Sequence, residues 1–225
     1  MGWKPWVCDS FCYHGGMLFF LTGDIQTGKT RWLQALRSTL DQRGVGVCGV
    51  IAPGVWIEHV ADDGEVSYEK MGIENVLLPE GTRVAFARRR DLAVAEGAFD
   101  ARSQAARSQL GWAIDDGAIA VVNEHLSHLL AGENVGALQK RNLLVIDELG
   151  RLELHAGEGL VAAVALVDRG ATEEIPHALI IVREQLLDVA MERFASAPWG
   201  GMCAIAPNSA GERAVLDAFA VMGQC

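Results

Sequence analysis

Eight consecutive residues carry the strongest chemical signal in the sequence. Gly23-Asp24-Ile25-Gln26-Thr27-Gly28-Lys29-Thr30 matches G-x-x-x-x-G-K-S/T and lies between an apolar strand and a helix. In that context the glycines let the backbone curl so that several N–H groups point inward. The helix N-terminus adds the positive end of its dipole, and Lys29 brings a full charge to the β and γ phosphates of a nucleotide. Thr30 is then positioned for Mg²⁺. Gly23 through Thr30, with Arg31 behind them, are the candidate nucleotide-binding residues.

A second, independent signal is Asp147-Glu148, delivered by the apolar run Leu143-Leu144-Val145-Ile146 to the carboxyl end of a buried strand. Beside a phosphate cradle, the first carboxylate is suited to the Mg²⁺ shell and the second to orienting or deprotonating an attacking water. Arg183 follows the next apolar run, Ala178 to Val182, at the end of a parallel strand where ligands collect. A cation there could spread charge off a transferring phosphoryl group. Lys29, Glu148 and Arg183 are therefore the candidate catalytic side chains, and Thr30 and Asp147 the candidate metal ligands.

Other constellations point elsewhere. Arg88-Arg89-Arg90 precedes Asp91 and reads as a solvated helix start, and His125 and His128 flank an apolar stripe without the H-E-x-x-H spacing of a metal helix. Cys8, Cys12 and His14 have no second cysteine pair at zinc-finger spacing. No G-x-S-x-G elbow is present.

The elements that must hold these residues follow from periodicity. A strand over Met17–Thr22 leads through the glycine-rich turn to a helix from Lys29 to about Arg43, with Trp32, Leu33, Leu36 and Leu40 on one face. A strand over Val45–Val55 leads into residues 56–75, a hairpin insertion turning at Asp62-Asp63-Gly64. Thr82–Ala87 is a further strand, and residues 91–130 hold two or three helices. Then strand and helix alternate: Asn142–Ile146 with Gly159–Val167, Ala178–Val182 with Gln185–Phe194, and Met202–Ala206 with Gly211–Met222. This pattern predicts an α/β three-layer sandwich, a mostly parallel sheet with helices on both faces. Residues 1–16 form an appended arm, and residues 17–225 one domain.

Composition sets limits on partners. The chain has 225 residues, half of them apolar, and a net charge of −10, so a broad basic surface for nucleic acid or anionic lipid is not expected. The longest wholly apolar run, Leu160–Val167, falls far short of a membrane span, and Met17–Leu21 is too short for a signal-peptide core. A cytoplasmic protein is expected, with its five cysteines reduced.

Asp147-Glu148-Leu149-Gly150-Arg151-Leu152-Glu153-Leu154 resembles the D-E-I-G-x-M-E-L signature of the thermophile-type P-loop nucleoside triphosphatase family. The similarity runs from Met17 to about Glu184 and becomes loose in the last sixth of the chain. It implies a P-loop NTPase fold and Mg²⁺-dependent hydrolysis of ATP, GTP and other nucleoside triphosphates with little base selectivity. It also implies Lys29 for phosphate, Thr30 and Asp147 for magnesium, and Glu148 for the catalytic water. Leu149 and Leu152 replace Ile and Met, and Asn208 is followed by Ser209 where the family has an Asn-Arg pair. The alternatives are a P-loop kinase, with Arg83 to Arg107 supplying a lid, and a nucleotide-binding regulatory or assembly protein whose slow hydrolysis acts as a timer. Glu148 favours water over another acceptor, and a transporter ATPase is disfavoured because no L-S-G-G-Q segment is present.

Overall fold

All five side chains of Met17–Leu21 (β1) are buried, which is possible only if the strand is central and covered on both faces. A computed structural model, which describes residues 15–23, 28–61, 63–133 and 138–221, places it there. β1 pairs in parallel with His177–Ile181 (β8) on one side and with Gly201–Ile205 (β9) on the other. β8 continues in parallel to Asn142–Ile146 (β7), and β7 to Gly46–Ile51 (β2). Beyond β2 the sheet turns antiparallel. Val66–Leu78 (β4) pairs with β2, with Gly54–Val60 (β3) and with Thr82–Arg89 (β5), and Trp112–Ile114 (β6) closes that edge.

Alternation along the strands divides the core in two. Leu18, Phe20, Cys48, Val50, Leu144, Ile146, Ala178 and Ile180 face the helices Asp116–Leu130 (α4), Val161–Arg169 (α5) and Leu187–Arg193 (α6). Met17, Phe19, Leu21, Leu143, Val145, Leu179 and Ile181 face Lys29–Gln42 (α1) and Ser209–Val221 (α7). The α1 stripe is Leu33, Leu36 and Leu40, as its spacing predicts. Truncating one of these leucines to Ala would cost about 2–5 kcal/mol. The α/β sandwich with helices on both faces is therefore as expected.

Its antiparallel part is larger than a hairpin insertion. The predicted strand Val45–Val55 breaks at Ala52-Pro53, where the chain leaves the buried sheet and enters an exposed ribbon. The Gly64 turn is present, closed by the Gly64 N–H on the Ala61 carbonyl at 2.9 Å. Asp62 lies outside the described residues. Within 91–130 the structure has Arg90–Ala95 (α2), Gln104–Arg107 (α3) and α4, and it places β6 in a stretch expected to be helical. β6 is three residues long, too short for period-2 alternation to register. A π-helical turn over Leu152–Ala156 also goes beyond the sequence pattern, and α5 starts at Val161 rather than Gly159.

Cys203 is disulfide-bonded, contrary to the expectation of five reduced thiols, whereas Cys48 is free and its burial pushes the thiol up to about 12. Residues 1–14, which include most of the expected arm with Cys8, Cys12 and His14, lie outside the described residues. Among the described residues no helix is long and apolar enough to cross a membrane.

One buried polar group makes the fold pH-sensitive. His177, at the start of β8, is fully buried, accepts the Met17 N–H at Nδ1 (3.0 Å) and meets the Phe219 ring edge-on at 4.5 Å. Burial lowers its pKa from 6.5 to about 4. Between those values the unfolded chain takes up a proton that the folded chain refuses, so stability falls as pH drops through 6.5 toward 4. We expect His177 to account for a loss of about 2 kcal/mol between about pH 8 and pH 5. Urea unfolding of wild type and His177→Gln at both pH values measures it; identical pH dependence in the two proteins would remove His177 as the cause.

Candidate active site

Four backbone hydrogen bonds bring the ends of adjacent strands to one level. Thr22 N–H donates to Ile205 O (3.0 Å), Val182 N–H to Leu21 O (3.1 Å), Leu149 N–H to Ile181 O (3.0 Å) and Asp147 N–H to Val50 O (3.0 Å). Because β8 sits between β1 and β7, Arg183 emerges between the end of β1 and Asp147-Glu148. Three sequence signals, scattered from the first strand to the last third of the chain, thus share one edge of the sheet.

The cradle's flanks are in place. Gly28, the residue before α1, has φ +80°, and no atom lies within 4 Å of where a Cβ would stand, so its conformation rather than space requires glycine. Lys29 Nζ donates to the Gly23 carbonyl at 2.8 Å, which brings the side chain back to the end of β1. Asp24, Ile25, Gln26 and Thr27 lie outside the described residues. Arg31 is exposed on the first turn of α1.

Asp147 is the buried centre of the site. Its Oδ2 accepts from Thr30 Oγ1 at 3.1 Å and from the Ala52 N–H at 2.9 Å. Burial is the dominant influence and raises its carboxyl from 3.8 to about 6, opposed by those two hydrogen bonds. The pair fits a hard divalent cation: Thr30 donates its proton to Asp147 and keeps its lone pairs, and a desolvated carboxylate gains from a nearby positive ion. Glu148 has φ +91°, an unusual value for a side-chain-bearing residue. The bonds on either side of it, from Asp147 N–H and Leu149 N–H, leave it no other course. Its carboxylate is half-exposed and ion-paired with Arg183 Nε.

Behind this edge Glu153 is a clamp. Its Oε2 accepts the Gly150 N–H at 2.8 Å and its Oε1 the Leu160 N–H at 3.0 Å, tying the loop after Glu148 to the start of α5 across the π-helical turn. Burial raises its pKa. Asn123 of α4 steadies the same region through the Gly159 carbonyl and the Ala162 N–H.

The remaining candidates are used elsewhere. Arg88 pairs with Glu96, Arg89 with Glu69 and Asp91, and Arg90 lies 4.8 Å from the Phe99 ring centroid. His125 Nε2 bonds the Leu78 carbonyl while His128 faces Glu133, so the two do not converge. Asn208 Oδ1 accepts from the N–H groups of Ala210 and Gly211 at the start of α7, and its carbonyl accepts from Trp32 Nε1. Two site features escaped the sequence pattern. The Ala52 N–H is a backbone group and leaves no trace in residue type. Lys70 of β4, close enough to Glu148 and Asp147 for both to stabilise its charge, is marked only by being one of four lysines in the chain.

A sequence family described as NTPase matches residues 18–172, more than half of the chain. The solution structure of a human cancer-related nucleoside triphosphatase superposes with a TM-score of 0.53 at 17% identity, covering 92% of this chain and 97% of that one. The crystal structure of THEP1 from the hyperthermophile Aquifex aeolicus gives a TM-score of 0.50 at 12% identity, covering 93% and 100%. No curated protein sequence matches.

The raised Asp147 pKa has a consequence for stability. Between 3.8 and about 6 the folded chain holds a proton that the unfolded chain releases, so Asp147 destabilises the fold as pH rises through that window and remains unfavourable above it. Asp147→Asn keeps an oxygen for Thr30 and Ala52 and removes the buried charge. At about pH 8 in metal-free buffer it should stabilise the protein by roughly 1–3 kcal/mol, and by little at about pH 4. Urea denaturation decides; a destabilised variant at pH 8 would contradict the burial argument.

Proposed function

This chain belongs to the NTPase family, the thermophile-type P-loop nucleoside triphosphatases, and we propose that it hydrolyses ATP, GTP and other nucleoside triphosphates to the diphosphate and phosphate with Mg²⁺ and broad base specificity. The observation that carries this is the convergence of Lys29 and Thr30, Asp147 and Glu148, and Arg183 at one level of three neighbouring strands. Lys29 binds the β and γ phosphates. Thr30 and Asp147 would hold the Mg²⁺, which would neutralise charge on the phosphate oxygens. Glu148 orients a water and accepts its proton as the water oxygen bonds to the γ-phosphorus and the bond to the bridging oxygen breaks. Arg183 steadies Glu148 before substrate arrives and reaches the charge that develops on the transferring group.

The kinase alternative needs a mobile cationic lid, and the arginines proposed for it are engaged. From Arg83 to Arg107, each pairs with an acid or lies over an aromatic ring. Phosphate release from a panel of nucleoside triphosphates, with and without Mg²⁺ and with phosphate acceptors added, separates the two. Hydrolysis without acceptor across several bases supports the proposal; turnover only with an acceptor overturns it.

Two substitutions assign roles. Glu148→Gln keeps shape and loses the basic oxygen, so kcat should fall by about 10²–10⁴ while triphosphate binding survives. Unchanged turnover would remove Glu148 from the chemistry. Arg183→Ala should lower kcat by about 10² and leave KM nearly unchanged, as expected when an interaction forms only in the transition state. Wild-type turnover would leave Arg183 as a surface partner of Glu148.

A further inference from the structure

The fold sets one more cation beside Asp147 and Glu148, and the residues around it hold it there by shape. Lys70 lies across from Trp56 in the β3–β4 ladder. Its Nζ sits 5.2 Å from the centroid of the Trp112 ring on β6, within cation–π range. Gly54 fills the remaining side: a Cβ there would stand 2.8 Å from Lys70 Cε and 2.6 Å from Trp56 Nε1. The lysine is thus flanked by the Trp112 ring, its ladder partner Trp56 and Gly54. Gly54 is two residues from Ala52, whose N–H binds Asp147, and the charges of Glu148 and Asp147 reach Lys70 itself.

Lys70 differs from the other cations of the antiparallel region. The arginines there have acidic or aromatic partners on the surface, whereas Lys70 is half-buried and has no hydrogen bond or ion pair with a described residue. Burial lowers its pKa, while Glu148 and Asp147 counteract that and Arg183 adds to it. A desolvated ammonium without a hydrogen-bonded anion is costly unless a ligand supplies one. Sheet order fixes the direction of approach: with β4 beyond β2 and β7, Lys70 enters from the antiparallel side and Lys29 from the β1 side.

We propose that Lys70 is a substrate-contacting residue that binds the terminal phosphate of the nucleoside triphosphate from the side opposite Lys29. The proposal rests on the nucleotide reading above and adds a discrimination to it. A cation on the terminal phosphate favours triphosphate over diphosphate, so the product is released from a site that still grips the substrate. Trp112 and Trp56 then serve as positioning residues that keep the ammonium aimed.

Calorimetric titration with a non-hydrolysable triphosphate analogue and with the diphosphate tests this on wild type, Lys70→Met and Lys70→Arg. Loss of a charge-assisted contact should weaken the triphosphate analogue about tenfold or more in Lys70→Met and the diphosphate less than about twofold, with Lys70→Arg restoring most of the difference. Lys70→Gln gives the same readout if the methionine variant does not fold. Equal losses for both ligands, or none, would overturn the role of Lys70 while leaving the nucleotide reading intact. Lys29→Ala should weaken both ligands, and a wild type that binds neither would overturn that reading together with this one.

Discussion

The site is organised around a buried carboxylate that two donors refuse to release. Asp147 Oδ2 takes the Thr30 hydroxyl from the start of α1 and the Ala52 N–H from the junction of β2 and β3. These hydrogen bonds connect the helix behind the phosphate loop, the strand ending in Asp147, and the antiparallel ribbon. An unpaired carboxylate at that depth would be untenable, so each element is held in place by the need to satisfy it. The same burial that raises its proton affinity makes it receptive to a cation.

Strain accumulates next to it. Glu148 adopts φ +91° because the amides on either side, those of Asp147 and Leu149, are committed to the ends of β2 and β8. The residue crosses from one strand end to the next and projects its carboxylate toward Arg183. Conformations of this kind persist where the surroundings over-determine them. Glu153 supplies part of that support by fixing Gly150 and Leu160 from below, and the π-helical turn places its two oxygens to reach both.

Charge is distributed differently in the two halves of the sheet. The antiparallel half is laced with surface pairs such as Arg83–Glu74 and Arg88–Glu96, each of small value for stability but enough to occupy the arginines. The parallel half carries surface pairs on its helices as well, Arg37–Asp41 on α1 and Arg193–Asp168 between α6 and α5, and sets Asp147, Glu148 and Arg183 at its strand ends, over two layers of buried apolar side chains. In a chain of net charge −10, Lys29, Lys70 and Arg183 stand as local cations at the end of the sheet that carries Asp147 and Glu148.

Residue type and spacing alone determined the strands and helices of the parallel half, because buried strands such as Asn142–Ile146 carry continuous apolar runs and α1 keeps a clear helical stripe. They also marked Lys29, Thr30, Asp147 and Glu148, whose motifs are local in sequence. The antiparallel half was legible only in outline. The break at Pro53 and the three residues of β6 depend on which strands pair, and pairing is a long-range choice that periodicity does not encode. Tertiary structure alone decided that β8 lies between β1 and β7, bringing Arg183 against Glu148. It also decided that the Ala52 amide reaches Asp147, and that Lys70 lies over the Trp112 ring close to the same corner. The physical reason is common to all three: motifs report what a side chain can do, whereas the partners of a backbone amide or a distant lysine are set by strand order, which emerges only when the sheet closes over its core.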